Sequence, residues 1–555
     1  MTRAHGRLTR RDVIGGFAAA GAGALLGPPA ARAAASPQGE RVFSRRVGRV
    51  SGLSEAIAPG RGFVLAGVQW SGPPGARIEL RSRTGRGSWG RWGIASVRGH
   101  EPDRGVTGSA LFGDGLWLGR SDAVQLRSSQ PVDGVRVHFI APQDATPAVA
   151  SAAALPLATP QLPAGGGQPP IIARSAWAGS AAAPSAGPYY GSVQLAFVHH
   201  SDNPNGYSEA EVPGMILSIY DYHRYVHGWF DIGYNFVIDA FGRVWEARAG
   251  GIDEPVIGAQ AGGYNEVSTG VVVLGTFMSV SPTPAAVGAL ERLLAWKLPL
   301  HGVPALGTVT VEVDPADAFY TPFEPGQRVP LPRIAGHRDG DTTDCPGDVL
   351  YGELASIRSA VDRTAGVPVA LTLGASRLTV PPATPVVVAG TLASLDGTPL
   401  AGAPVAVQTV SGFGTATTIA TATTDADGAW LAGVTLTRSE IVRALHAGAP
   451  AAVSAPVAIG LEPAITLTLA STSPLRVTGT VDPHRPTVTI DVYQLAGQHR
   501  RLVLTRVATV RAGAFTAGLS LGSRVRAGAS YEIVARAAAS ETTVAGASAP
   551  VAVTL

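Results

Sequence analysis

A chain of 555 residues with a formal net charge of +3 and 15% charged residues is too long for one hydrophobic core, and no nucleic-acid-binding motif accompanies its arginines. Its 69 glycines and 43 prolines suit turn-rich β domains better than helical bundles, and no apolar run reaches the length a membrane helix needs. The single cysteine, Cys345, excludes an intramolecular disulfide framework.

In chain order, Thr9-Arg10-Arg11-Asp12-Val13-Ile14 has the twin-arginine form and precedes a weakly apolar stretch, Gly15 to Leu26, and the small-x-small triplet Ala31-Arg32-Ala33. Residues 1–33 therefore read as a twin-arginine signal peptide, which implies a secreted or cell-wall protein. Residues 36–142 alternate in short runs such as Phe63-Val64-Leu65-Ala66-Gly67-Val68 between Gly, Pro and Asp turns, the pattern of an all-β module. Trp70, Trp89, Trp92 and Trp117 along it could line a face for cell-wall glycan, although such tryptophans are more often core or turn-packing residues. Residues 143–170 are nearly all Ala, Pro, Gly and Leu and read as a linker.

Residues 171–366 differ in kind. Ser208 and Glu211 form a capping-box pattern ahead of Val212, Ile216, Ile219, His223 and Val226, which recur at helical spacing until Gly228. Pro284 opens a second helix ending at Pro299, and a third begins near Asp348 with Leu350, Leu354, Ile357 and Val361 inward. The short apolar runs 195–198, 234–238 and 271–274 read as buried strands, so this segment is expected to be an α/β domain with a mixed sheet flanked by helices. Beyond it the sequence repeats at about 90 residues: Ala370-Leu371-Thr372-Leu373 matches Ala464-Ile465-Thr466-Leu467, Gly390-Thr391 matches Gly479-Thr480, and Gly428-Ala429-Trp430 matches Gly513-Ala514-Phe515. That period predicts two immunoglobulin-like β-sandwiches, over 367–460 and 461–555. The expected fold class is thus multidomain, an α/β domain between β modules.

The candidate chemistry lies in Val198-His199-His200-Ser201, Gly336-His337-Arg338-Asp339 and Asp344-Cys345-Pro346-Gly347. A lone cysteine in an exported protein gains most by holding a metal or attacking a substrate, and two histidines nearby favour the metal. A catalytic zinc keeps three protein ligands and one open position, a set that His199, at the end of a buried strand, and His337 and Cys345, eight residues apart in a Gly/Pro-rich loop, would supply.

These pieces stand in a longer ordered series: Ile172-Ala173-Arg174-Ser175-Ala176-Trp177, the His199 strand, Trp229-Phe230-Asp231-Ile232-Gly233-Tyr234-Asn235-Phe236, Gly242-Arg243-Val244-Trp245-Glu246-Ala247-Arg248, Gly262-Gly263-Tyr264-Asn265, Ser268-Thr269-Gly270 and the two closing motifs. Residues 171 to about 362 resemble the zinc-dependent N-acetylmuramoyl-L-alanine amidase domain of peptidoglycan recognition proteins and phage T7 lysozyme. The resemblance implies a Zn2+ site of His199, His337 and Cys345 and hydrolysis of the amide between N-acetylmuramic acid and L-alanine. Tyr234 matches the tyrosine that orients the nucleophilic water, and Thr343 the Thr or Lys that stabilises the oxyanion. His200 and His223 match substrate contacts. Gln260 stands in Gly258-Ala259-Gln260 where many members have histidine, and is expected to hydrogen-bond the stem peptide without titrating. The implied partner is peptidoglycan.

Overall fold

The computed structural model describes residues 41–555 except 74, 96–110, 143–154, 157–166, 180, 411–415, 498, 523–527 and 541–542. The signal peptide expected over 1–33, and most of the linker, lie outside the described residues. Leu155 and Pro156 are described, and they are tied down: Leu155 packs on the central domain's core and Pro156 O accepts from Ala173 N–H at 2.8 Å.

The central domain is built on a six-stranded mixed sheet in the order Ile334–Gly336, Leu195–His200, Ser268–Val273, Phe236–Ile238, Val244–Glu246, Ile171–Ile172. Leu195–His200 lies parallel to both its neighbours, so its side chains are covered on both faces and read as a continuous apolar run. Ala196 and Val198 face the helices Pro284–Leu300 and Asp348–Thr364, while Val237, Val272 and Trp245 face the helix Val212–Asp221. The buried residues of Asp348–Thr364 are Leu350, Leu354, Ile357 and Val361, the four its periodicity predicts; each contributes about 1.5–3 kcal/mol by leaving water. Thr283 Oγ1 caps Pro284–Leu300 by accepting from Ala286 N–H at 3.1 Å. That helix runs one residue past Pro299, because a proline in the last turn removes a single hydrogen bond rather than breaking the ladder. The helix expected to continue to Gly228 instead turns α into π at Tyr222–Val226, where His227 N–H reaches back to Tyr222 O.

Seven strands between Val42 and Ile140 form one antiparallel N-terminal sheet. Of its four tryptophans, Trp70 and Trp117 are buried and unavailable as a glycan surface. Trp89 and Trp92 are partly exposed, under the guanidinium groups of Arg81, Arg83 and Arg127.

After the central domain, strands from Val369 to Leu461 form two sheets around one core holding Val386, Val388, Trp430, Val405, Val407 and Val442, a β-sandwich. Strands from Ala464 to Thr554 follow as an eight-stranded path around a second core. The repeat has a structural meaning. Gly390 and Gly479 occupy equivalent strands, and a Cβ on either would collide with a carbonyl, Thr372 O or Thr466 O, and with an aromatic ring, Trp430 or Phe515. Thr391 N–H donates to Thr372 Oγ1 at 2.8 Å and Thr480 N–H to Thr466 Oγ1 at 2.9 Å, the same bond in both copies. Among the described residues no helix is long and apolar enough to cross a membrane.

Candidate metal centre

Two strand ends and one loop bring the chemistry together. His199 is the penultimate residue of its strand, His337 opens a 3₁₀ turn directly after Ile334–Gly336, and Cys345 lies in the loop that leads into the helix Asp348–Thr364. One ligand atom from each, two imidazole nitrogens and Sγ, all lie within 4.8 Å of one another. All three residues are at most 1% exposed. The histidine rings are 4.4 Å apart, and His199 Nδ1 is 3.7 Å from Cys345 Sγ.

The far nitrogens are engaged elsewhere. His199 Nε2 meets Gln260 Oε1 at 2.5 Å, and a chain of donors fixes which atom of the amide faces it. Ser268 Oγ gives its proton to Tyr264 O at 2.8 Å, so it accepts from Gln260 Nε2 at 2.8 Å, which turns Oε1 toward the imidazole. His199 must then carry its proton on Nε2 and present the Nδ1 lone pair to the cluster. His337 Nε2 is held in the same way by Asp341 Oδ2 at 3.0 Å, an oxygen that also accepts from Gly262 N–H at 2.9 Å. Two imidazoles braced through Nε2 and a thiol, with donor atoms converging, fit a tetrahedral zinc with one position left over. Burial pushes the Cys345 thiol well up, only partly offset by the His200 N–H donated to Sγ at 3.3 Å. A dication beside the sulfur would be what holds it as thiolate.

The other expected site residues fall in different places. The Tyr234 ring is 5.3 Å from His199 and buried, and burial, then the charges of Asp114 and Cys345, hold its phenol well above its ordinary pKa. Thr343 is partly exposed two residues before the cysteine, and its Oγ1 accepts from Cys345 N–H at 3.2 Å, which leaves the hydroxyl proton to be donated elsewhere. His200 follows His199 on the strand and so points to the opposite face, where its Nδ1 accepts from Phe277 N–H at 3.4 Å. His223, in the π turn, accepts from Gly233 N–H at 3.1 Å, with its ring 4.4 Å from Trp229 and 5.8 Å from Tyr234. Gln260 is fully buried between His199 and Ser268. Asp341 escaped the sequence reading, although it stands one turn after His337; the motif's own Asp339 instead accepts from Gly336 N–H at 2.9 Å and from Tyr351 Oη at 2.5 Å.

Residues 189–348 match the family model described as N-acetylmuramoyl-L-alanine amidase. The central domain belongs to the amidase and peptidoglycan-recognition family. Over 187 residues this chain is 29% identical to peptidoglycan-recognition protein LB of Drosophila melanogaster, a match covering 34% of this chain and 68% of that protein. It is also 29% identical over 194 residues to the human N-acetylmuramoyl-L-alanine amidase, covering 33% of this chain and 28% of the human protein. The solved structure of wild-type Drosophila PGRP-LB aligns with 27% identity over 34% of this chain and 92% of its own, at a TM-score of 0.26. Residues 26–158 match a second family model, described as Rv3811 N-terminal galactose-binding domain-like. The matched residues 189–348 thus carry the cluster, and both β regions lie outside them.

Proposed function

We propose that the chain is a secreted, zinc-dependent amidase that hydrolyses the bond between N-acetylmuramic acid and the L-alanine of peptidoglycan stem peptides. The observation that carries this reading is the convergence of His199, His337 and Cys345 within 4.8 Å, with Gln260 and Asp341 bracing the two imidazoles. Bound there, zinc would supply Lewis acidity to the scissile carbonyl and acidify water to a pKa of about 7.

The chain's own residues do the rest. Tyr234 keeps its proton at Oη because burial disfavours the phenolate, so it serves as a donor that orients the attacking water and does not compete as a base. Thr343 Oγ1 donates toward the carbonyl oxygen as charge gathers on it. Gln260 acts from behind His199, a positioning role in place of the expected contact with the stem peptide. His223 and His200 are kept as substrate contacts, His223 with the stronger case because it stands beside Tyr234. Export by the twin-arginine route places the enzyme at the wall. The C-terminal modules, read as immunoglobulin-like sandwiches, serve as spacers or wall attachments, with the rings of Trp89 and Trp92 as a glycan contact.

The test is release of stem peptide from purified peptidoglycan by wild type and Cys345→Ala, with zinc and with a chelator. Release that needs both zinc and Cys345 supports the amidase. Stoichiometric zinc without cleavage replaces it by a peptidoglycan-binding protein that uses the same site.

A further inference from the structure

Charge is divided sharply along the chain. Residues 41–142 hold 15 arginines against seven Asp and Glu, a formal +8, whereas residues 171–366 hold 11 Arg and Lys against 21 Asp and Glu, a formal −10. The basic domain is fastened to the acidic one. Gly113 O accepts from Tyr222 Oη at 2.8 Å, Trp117 N–H donates to Asn203 Oδ1 at 2.9 Å, and Arg41 pairs with Asp221 at 2.9 Å. Leu65, Trp117 and Ile140 share one buried core with Met215 and Ile219. A Cβ on Gly115 would sit 2.9 Å from Tyr222 Cγ, and one on Gly67 would collide with the same ring, so the two domains approach as only glycine allows. A polyanion is thus repelled by the central domain and attracted by the domain fixed to it.

Part of that basic charge is organised on the outer face of one strand. In Ile78–Arg83 the buried Ile78 and Leu80 join the core, so Glu79, Arg81 and Arg83 face outward, and the neighbouring strand sets Arg127 opposite Glu79 and Gln125 opposite Arg81. The hairpin after Arg83 folds back over this face, tied by Gly90 N–H to Ser82 O at 2.9 Å, and lays Trp89 and Trp92 among the guanidinium groups. Arg83 Cζ is 4.5 Å from the centre of the Trp89 ring, Arg81 Cζ is 5.2 Å from Trp89 and 4.4 Å from Trp92, and Arg127 Cζ is 4.5 Å from Trp92. The result is an alternating row of cations and indoles. Glu79 is engaged within it, its two oxygens accepting from Arg127 at 2.5 and 2.9 Å with Arg77 at 3.5 Å, and Asp122 accepts from Gly85 N–H at 2.6 Å. Arg81 is held by a neutral group instead. Gln125 Nε2 donates to Ser54 O at 2.8 Å, which turns Oε1 toward Arg81 Nε and Nη2, at 3.1 and 2.6 Å. Arg83 Nε makes no hydrogen bond. Among the described residues no carboxylate pairs with Arg81, Arg83 or the exposed Arg86 and Arg91 of the hairpin.

Indoles and an amide therefore fix guanidinium groups on a surface without neutralising them, and such groups take oxyanions edge-on. Outward positions on a strand recur about every 7 Å, so the row presents successive cations to a repeating anion rather than to a single small one. We infer that this Arg–Trp face of the N-terminal domain is a docking surface for an acidic polysaccharide, which it holds beside the central domain. A polysaccharide is favoured over nucleic acid because no nucleic-acid-binding motif accompanies these arginines. The inference rests on the reading that the chain works at a cell wall.

The experiment uses the full chain and three probes: polygalacturonate, the same polymer with its carboxyls methyl-esterified, and double-stranded DNA. Wild type should bind polygalacturonate roughly tenfold or more tightly than the ester, and should lose that preference as salt rises. Arg81→Gln with Arg83→Gln, and separately Arg86→Gln with Arg91→Gln, should each raise the Kd for polygalacturonate roughly two- to thirtyfold, the range expected of two partly exposed ion pairs. The second pair is exposed on the hairpin, so it decides the matter if the first lowers the melting temperature. Equal affinity for polygalacturonate and its ester, or wild-type affinity in both double variants, overturns the inference. DNA bound more tightly than polygalacturonate overturns it in favour of a nucleic-acid surface. Binding needs neither zinc nor cleavage, so a failed amidase assay leaves this result standing, and loss of polymer binding leaves the amidase intact.

Discussion

Gln260→Leu tests the bracing of His199 most directly, because leucine keeps the bulk of the buried side chain and removes only its polar end. The glutamine is completely enclosed, and its Oε1 receives His199 Nε2–H at 2.5 Å. Without zinc, a His199 deprived of that acceptor can move its proton to Nδ1, toward Cys345 Sγ at 3.7 Å, and so avoid most of the penalty. With zinc it cannot, since Nδ1 is then a ligand and Nε2–H stays buried without a partner. The penalty therefore falls on metal affinity rather than on the metal-free fold. An unsatisfied buried donor costs about 1–3 kcal/mol, which at about 1.4 kcal/mol per decade raises the zinc Kd roughly 5- to 150-fold. Competition against a chromophoric chelator measures it, with Gln260→Glu as the control that keeps an acceptor and should hold wild-type affinity or better. A Gln260→Leu Kd within about twofold of wild type, with the metal-free melting temperature unchanged, would refute the argument that this amide sets the tautomer.

Three other outcomes follow from the geometry. Tyr234→Phe removes one donor beside the metal centre without touching a ligand, so kcat should fall by about 100-fold or more while the zinc Kd stays put; equal losses in both would show that the ring only packs. Lys297, the sole lysine, is buried with its Nζ donating to Ile252 O and Glu254 O, and burial depresses its pKa to about 7 from 10.5. From pH about 7 to about 9 the unfolded chain holds a proton the folded chain has released, so this residue makes stability rise with pH, and Lys297→Met should flatten that slope in denaturant titrations. Arg443, fully buried in the first sandwich, meets Glu254 of the central domain and Gln408, the latter at 3.0 Å; Arg443→Ala should cost about 3–5 kcal/mol, with Glu254 left uncompensated, and a loss under about 1 kcal/mol would show that water replaces the guanidinium.

What was legible in the sequence is what local periodicity and covalent spacing encode. Leu350, Leu354, Ile357 and Val361 recur at helical spacing and are the residues their helix buries. The repeated Gly390 and Gly479 mark strands where a backbone passes too close for a Cβ. The three candidate ligands were legible because His199 ends an apolar run, and His337 and the sole cysteine stand eight residues apart among glycines and a proline. The π turn at Tyr222–Val226 was not, since the apolar stripe continues through it while the register slips by one residue. Of the tryptophans, sequence could not distinguish Trp70 and Trp117, which bury, from Trp89 and Trp92, which do not, because an alternating strand shows which residues share a face but not which face is covered.

The supports of the site were harder to see for a reason that Gln260 makes concrete. Its role depends on residues brought together by folding: His199 from a different strand, Ser268 and Tyr264 that orient its amide, and Gly270, where a Cβ would come within 2.5 Å of Gln260 Cγ. Seen alone, a glutamine in the family's histidine position reads as a weaker substrate contact. Seen with its neighbours, it is a neutral acceptor whose orientation is fixed by a hydroxyl proton already given to a main-chain carbonyl. The turn Gly113-Asp114-Gly115 carries the same logic across a domain boundary, since nothing in an all-β module marks one turn as packed on another domain until Tyr222 and Asn203 fasten its flanks there. Ligands can be read from what a residue is, but the groups that tune them have to be read from what it touches.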